Sequence, residues 1–197
     1  LAKKFPIEII SVDSVMVYTD CDIGSAKPSK DILSKYPHHM VDIISPKEIF
    51  TVAEFCKLSK KIIKNSHDKK RLPVFIGGSM MYFKSLLDGI HDLPKKHKDY
   101  REELDKLKNS NEKNFLYNYL KTIDPVYAKE VNENDEVRII RALEVFKITG
   151  KPISKIIKLN SKKSLNDEYD VFQFGIINER DILHQRIKTR LNEIIDR

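Results

Sequence analysis

Two short β-branched runs, Ile7-Glu8-Ile9-Ile10-Ser11-Val12 and Pro73-Val74-Phe75-Ile76, constrain the fold more than any other feature of this chain. Each is nearly all apolar, the pattern of a strand covered on both faces of a parallel sheet. Between them, Val52, Phe55, Cys56, Ser59, Ile62 and Ile63 recur at helical spacing with lysines opposite. A strand, helix, strand succession predicts an α/β layer with a right-handed crossover. Further on, Tyr169 to Ile176 reads as a returning strand and Glu179 to Ile195 as a basic amphipathic helix.

From about Pro94 to Lys163 the β-branched runs vanish and charge rises. Tyr100–Leu107, Asn114–Ile123 and Glu136–Ile148 carry the 3.6-residue period, which predicts a helical insertion. The expected division is an α/β core over 1–94, the insertion over 95–165 and the core resuming over 166–197. With 41% hydrophobic residues in 197, the chain can bury a real core. Its net charge of +7 favours a polyanionic partner, although a lysine-rich proteome gives the same balance.

Cys21 and Cys56 stand far apart and form no C-x-x-C pair, so neither a disulfide framework nor a structural zinc site is suggested. A reducing, cytoplasmic setting fits. Without an apolar run of about 20 residues or a signal-peptide pattern, a soluble protein with no membrane partner is expected. His38-His39 has no partner at ligand spacing and reads as loop packing, so no protein metal site is predicted.

Ligands of open α/β sheets bind beyond the carboxyl ends of the strands. After the first strand comes Asp13-Ser14; an aspartate there is commonly a turn or cap residue, and it is also a carboxylate in the right place for chemistry. After the second comes Gly77-Gly78-Ser79-Met80-Met81-Tyr82, in which paired glycines allow close backbone approach and Ser79 opens a helix. That arrangement suits a phosphate, and it is equally a plain turn with an N-cap. Arg138 with Arg141, and Arg186 with Arg190, each share a helix face. They are either solvated basic faces or forks for phosphate oxygens.

Taken in order, several stretches resemble the tRNA dimethylallyltransferase family, also called tRNA isopentenyltransferases. These are Ile10-Ser11-Val12-Asp13-Ser14, Asp22-Ile23-Gly24-Ser25-Ala26-Lys27-Pro28, Pro37-His38-His39-Met40-Val41-Asp42, Gly77 to Tyr82, Arg138-Ile139-Ile140-Arg141-Ala142-Leu143-Glu144-Val145 and Thr149-Gly150-Lys151-Pro152. The resemblance implies a P-loop NTPase-like parallel sheet with an inserted all-helical domain that grips the anticodon stem-loop of tRNA. It implies transfer of a dimethylallyl group from dimethylallyl pyrophosphate to the N6 amino group of the adenine 3′ of the anticodon, with Mg²⁺ as cofactor and a monomer as the expected state. By the same resemblance Asp13 is the general base, and Ser79, where the family usually has Thr, keeps the hydroxyl that touches a pyrophosphate oxygen. Gly77, Gly78 and Arg186 or Arg190 complete the pyrophosphate set. Asp13, Ser14, Val15, Met16, Ser79, Arg101, Val137, Arg138, Ile139, Ile140 and Arg141 match positions that contact tRNA.

The chain also departs from the family pattern. Members begin with a nucleotide-binding loop of the G-x-x-x-x-G-K-[ST] kind, whereas this sequence opens at Leu1-Ala2-Lys3-Lys4-Phe5, which looks like the end of the following helix. Members also continue past the equivalent of Arg197, so an interior portion is expected. Met16 stands where the family often has Gln and can offer only packing to a base. Two rivals predict different behaviour: an isopentenyltransferase or small-molecule kinase acting on free nucleotides needs no tRNA-gripping insertion, and a non-catalytic tRNA-binding remnant binds RNA without product.

Overall fold

The computed structural model describes residues 1–91, 93–159 and 164–196, and the chain contacts divide it into two units, Leu1–Ile90 with Lys163–Arg197 and His91–Lys162. The first unit begins with β1 (Ile7–Val12), α1 (Lys30–Lys35), β2 (His38–His39), α2 (Val52–Asp68), β3 (Leu72–Gly77) and α3 (Met80–Asp88). The strands make a parallel sheet in the order β2-β1-β3, with β1 central and Ile10 and Val12 fully buried. Both predicted strands form, and the α/β layer expected from them is present.

α2 starts at a capping box: Thr51 Oγ1 accepts from the Glu54 amide at 3.2 Å, and Glu54 Oε2 accepts from the Thr51 amide at 2.7 Å. Its buried face, Phe55, Cys56, Ser59, Ile63 and Ser66, follows the spacing read from sequence. That face packs on Ile10, Val12, Met40, Tyr82 and Leu86, and the Phe55 and Tyr82 rings stack at 4.6 Å. Glu8, the one charged residue of β1, forms ion pairs with Arg71 Nε at 3.0 Å and with His39 Nε2 at 2.8 Å. The His39 bond above all, with the Arg71 charge, holds its carboxyl below the usual range against the opposing effect of burial.

Two expectations are corrected. His38-His39 is not loop packing; it pairs with Ile9 and Ile10 as a two-residue strand. Two residues are too few to carry an alternation signal, and the partner lies far away in sequence. Conversely, Tyr169–Ile176 belongs to no strand, and Phe172, Phe174 and Ile176 are 81%, 91% and 92% exposed. An alternating sequence becomes a strand only when a neighbour accepts and donates its backbone hydrogen bonds, and none does so among the described residues.

The second unit is helical: α4 (Lys98–Ser110), α5 (Phe115–Ile123), α6 (Pro125–Ala128), α7 (Glu136–Thr149) and α8 (Ile153–Leu159). Leu104, Leu120, Ile139, Leu143 and Val145 form its core. Buried Asp124 caps α6 through the Tyr127 amide at 3.0 Å and fixes α8 through the Ser154 amide and hydroxyl at 2.9 and 2.7 Å. Gly150, at φ 67°, ends α7 in the left-handed conformation that glycine adopts without penalty. The chain returns to the first unit with α9 (Arg180–Ile195), the predicted basic helix, which has no buried residue. No described helix is long and apolar enough to cross a membrane.

Candidate active site and anion-binding residues

The β1–β3 register sets Val12 beside Gly77, so the residues leaving the two strands, Asp13-Ser14 and Gly78-Ser79, start from neighbouring points of one sheet edge. The Ser79 amide donates to Val12 O at 3.2 Å, tying the start of α3 to the end of β1. Gly77 is required by this approach: a Cβ there would lie 2.1 Å from Val12 O. Gly78 faces open space, where a Cβ would meet nothing within 4 Å. Ser79 is the N-cap residue of α3, yet its hydroxyl makes no capping bond and remains available at a helix N-terminus.

Asp13 is half-buried, and its Oδ1 accepts from the Val15 amide at 2.8 Å and the Met16 amide at 3.0 Å. Among the described residues no hydrogen bond reaches Oδ2. The turn role and the chemical role therefore coexist, one on each carboxylate oxygen. Ser14 and Val15 are exposed, while the Met16 thioether accepts a long bond of 3.6 Å from Ser11 Oγ. Tyr82 lies nearby; burial pushes its hydroxyl pKa up, with the Tyr18 and Asp13 charges adding to the rise.

The loop after Asp13 holds a residue to which sequence reading assigned no chemistry. The Lys27 side chain is 4% exposed, and its Nζ meets Asp22 Oδ1 at 2.6 Å, Asp42 Oδ1 at 2.5 Å and Tyr18 O at 3.0 Å. Burial opposes its charge, but the bonds to Asp22 and Asp42 outweigh that and raise its pKa. Asp42 in turn donates its amide to Met16 O at 3.0 Å, connecting Lys27 to the turn that Asp13 caps. Asp20, Ala26, Met40 and Asp42 all adopt positive φ in this loop, a conformation costing roughly 1 kcal/mol or more each without glycine. Lys27 supplies bonds that hold it so. The only sequence signal was that Asp22, Lys27 and Asp42 fall in the stretches carrying the resemblance.

In the helical unit, Arg101 and Arg141 converge on Glu144, which is fully buried. Arg101 donates through Nε at 2.8 Å and Nη2 at 3.0 Å, Arg141 donates through Nη1, and the His97 amide donates at 2.6 Å. Arg141 Nη2 also donates to Pro94 O at 2.6 Å. Burial alone would raise the Glu144 pKa; the Arg101 fork, the His97 amide and Arg141 outweigh it and hold the value down to about 2. Arg138 pairs with Asp135, which also caps α7, and Val137 is 78% exposed. Ile139, expected among the RNA contacts, has its side chain buried in the unit's core, and Ile140 packs against the same core. In the first unit, Arg186 donates to Asn178 Oδ1 at 3.3 Å and Arg190 to Gly24 O at 2.6 Å; neither meets a carboxylate among the described residues.

The sequence pattern of the family described as IPP transferase matches residues 16–197. A tRNA dimethylallyltransferase of Caldanaerobacter subterraneus subsp. tengcongensis is 40% identical over 197 residues, covering 99% of this chain and 62% of the relative. One of Francisella tularensis subsp. novicida is 39% identical over 196 residues, covering 100% and 63%. Among solved structures, the full-length tRNA isopentenylpyrophosphate transferase of Bacillus halodurans superposes with a TM-score of 0.58 at 34% identity, covering 99% of this chain and 59% of that one. A eukaryotic dimethylallyltransferase acting on tRNA superposes at 0.81 with 26% identity, covering 99% and 48%. The chain thus spans about 62% of the length of the curated relatives it matches.

Proposed function

The chain belongs to the IPP transferase family, and from that premise we propose that it carries the transferring core of a tRNA dimethylallyltransferase. The reaction moves the dimethylallyl group of dimethylallyl pyrophosphate to N6 of the adenine 3′ of the anticodon. One observation supports this reading more than any other: Asp13 and the Gly77-Gly78-Ser79 turn leave adjacent, hydrogen-bonded strands at one sheet edge. On this reading the core is of the P-loop NTPase type, and the unit His91–Lys162 is an insertion that grips the anticodon stem-loop.

An exocyclic adenine nitrogen is a weak nucleophile, because its lone pair is delocalised into the ring. As the bond from N6 to the allyl carbon forms, the bond from that carbon to the pyrophosphate oxygen breaks and the pyrophosphate leaves with the electron pair. Asp13 accepts the N6 proton through Oδ2, while its Oδ1 stays fixed by the Val15 and Met16 amides. Charge grows on the leaving group, so donors already in place stabilise the transition state more than the ground state. Ser79 Oγ, the start of α3 and Arg186 or Arg190 fill that role, and the absence of a side chain at Gly78 leaves room for the phosphates.

Among the described residues no group of three or more His, Cys, Asp or Glu could hold a metal by itself. A donor-poor edge of this kind fits a Mg²⁺ that takes most of its ligands from pyrophosphate and water, with the Ser79 hydroxyl as the protein's contribution. When bound, the ion neutralises leaving-group charge.

Incubating the purified protein with Mg²⁺, dimethylallyl pyrophosphate and either unmodified tRNA or free adenine nucleotide tests the reading by nucleoside mass spectrometry. An adenosine heavier by one dimethylallyl group in the tRNA sample alone is expected. Product on the free nucleotide instead would assign a different acceptor, and RNA binding without product would assign a binding protein.

A further inference from the structure

We propose that the segment Pro94-Lys95-Lys96-His97-Lys98 is a contact for the RNA sugar-phosphate backbone, and that buried Glu144 is the positioning residue that gives it its shape. The inference rests on RNA being the substrate. It moves the expected phosphate contact away from Arg101 and Arg141, whose guanidinium groups are largely engaged inside the unit, and onto lysines for which sequence reading gave no role.

Lys95, Lys96 and Lys98 are all exposed. Lys95 and Lys96 enter no ion pair among the described residues. Lys98 lies 4.0 Å from Glu102, with side chains 89% and 62% exposed, a pair of the kind that contributes little in water. Three like charges within five residues repel one another and would hold a free loop extended and mobile. This loop is tied at both ends instead. Pro94 O accepts from Arg141 Nη2 at 2.6 Å, the His97 amide donates to Glu144 Oε1 at 2.6 Å, and the His97 ring caps α4 by accepting from the Tyr100 amide at 3.3 Å.

Glu144 sits at the centre of those ties, because the same carboxylate holds Arg101 and Arg141. It balances only one of the two guanidinium charges. Lys95, Lys96 and Lys98 are thus carried, exposed, on the stretch that this carboxylate anchors, followed on the first turns of α4 by exposed Asp99, Glu102 and Glu103. The Arg101 and Arg141 side chains remain 32% and 24% exposed at the edge of this anchor. Lysine ammonium groups on a fixed loop beside guanidinium edges suit the spaced, singly charged oxygens of a nucleic-acid backbone, a contact that fixes register without reading sequence.

The test is the affinity of the protein for an anticodon stem-loop RNA, measured across KCl concentrations. Each phosphate neutralised by a cation contributes about 0.9 to the slope of log K against log salt on a duplex. The combined variant Lys95→Ala, Lys96→Ala, Lys98→Ala is expected to lower that slope by about two to three. Glu144→Gln, which keeps all three lysines, is expected to lower it by about one or more because the loop is no longer pinned. A merely structural glutamate would lower the melting temperature and leave the slope alone. Should Glu144→Gln fail to fold by circular dichroism, Glu144→Asp, which draws the carboxylate back from the His97 amide and keeps every cation, is read in the same way. A wild-type slope in the triple variant overturns the contact, and a wild-type slope in both positioning variants overturns the role of Glu144. Binding is read without transfer: protein that allylates tRNA with a slope insensitive to the lysines leaves the proposed function standing, and a lysine-dependent slope without product does the reverse.

Discussion

At Asp13 the two carboxylate oxygens have different environments, and the account of the reaction depends on that difference. Oδ1 is held by two amides, and among the described residues no hydrogen bond reaches Oδ2, the oxygen proposed to take the proton. Across the sheet edge, Gly77 tolerates no side chain, so Gly77→Ala is expected to cost about 2 kcal/mol or more through overpacking against Val12 O, read as a lower denaturant midpoint with an unchanged m-value. Ser79→Ala removes one donor from the leaving group and should lower the transfer rate on the order of a hundredfold. Ser79→Thr, which keeps the hydroxyl, should stay within a few fold of the parent. A Ser79→Ala protein with the parent's rate would remove that hydroxyl from the site. The placement of Asp13, Gly77 and Ser79 at one sheet edge was legible in sequence because each stands at or just beyond the end of a strand in a local motif. The partner of Arg101 was not: Glu144 lies 43 positions away, and nothing local distinguishes a buried glutamate on a charged helix from a solvated one.

Among the elements, α7 is the one whose ionic contacts make a pH prediction. Its Glu144 carboxyl is held down to about 2 from an ordinary 4.5, so the folded state binds its proton less readily than the unfolded chain. The resulting stabilisation is fully present above the ordinary value and is lost as pH falls from about 4.5 towards 2, with a magnitude on the order of 3 kcal/mol. Urea titrations over that range should show this decline in the parent and a flatter profile in Glu144→Gln; equal profiles would contradict it. The segment between β1 and α2, which includes α1 and β2, carries a different prediction. Lys27→Met should speed hydrogen exchange at the Asp42 and Ile43 amides, which donate to Met16 O and Val17 O, while exchange in the core of α2 stays slow. The strands β1 and β3 and the helices α2, α4, α5, α7 and α9 were legible from apolar patterning, and α3 from Ser79 opening a helix. β2 was too short to register, and Tyr169–Ile176 carried a strand pattern whose realisation needs a pairing that local sequence does not specify.

For the molecule as a whole, the division into Leu1–Ile90 with Lys163–Arg197 and His91–Lys162 follows from two separate cores, one around Phe55 and Tyr82 and one around Leu120 and Leu143. The family resemblance supplied what periodicity could not, namely the reaction proposed for a basic α/β protein with an anion-suited sheet edge. The most direct test of that claim is a single-turnover measurement of dimethylallyl transfer to unmodified tRNA, comparing the parent with Asp13→Asn and measuring tRNA affinity alongside. Loss of transfer by at least about a hundredfold with affinity nearly unchanged is expected, because the substitution preserves the turn geometry and removes the proton acceptor. An Asp13→Asn protein that transfers at the parent's rate would contradict it.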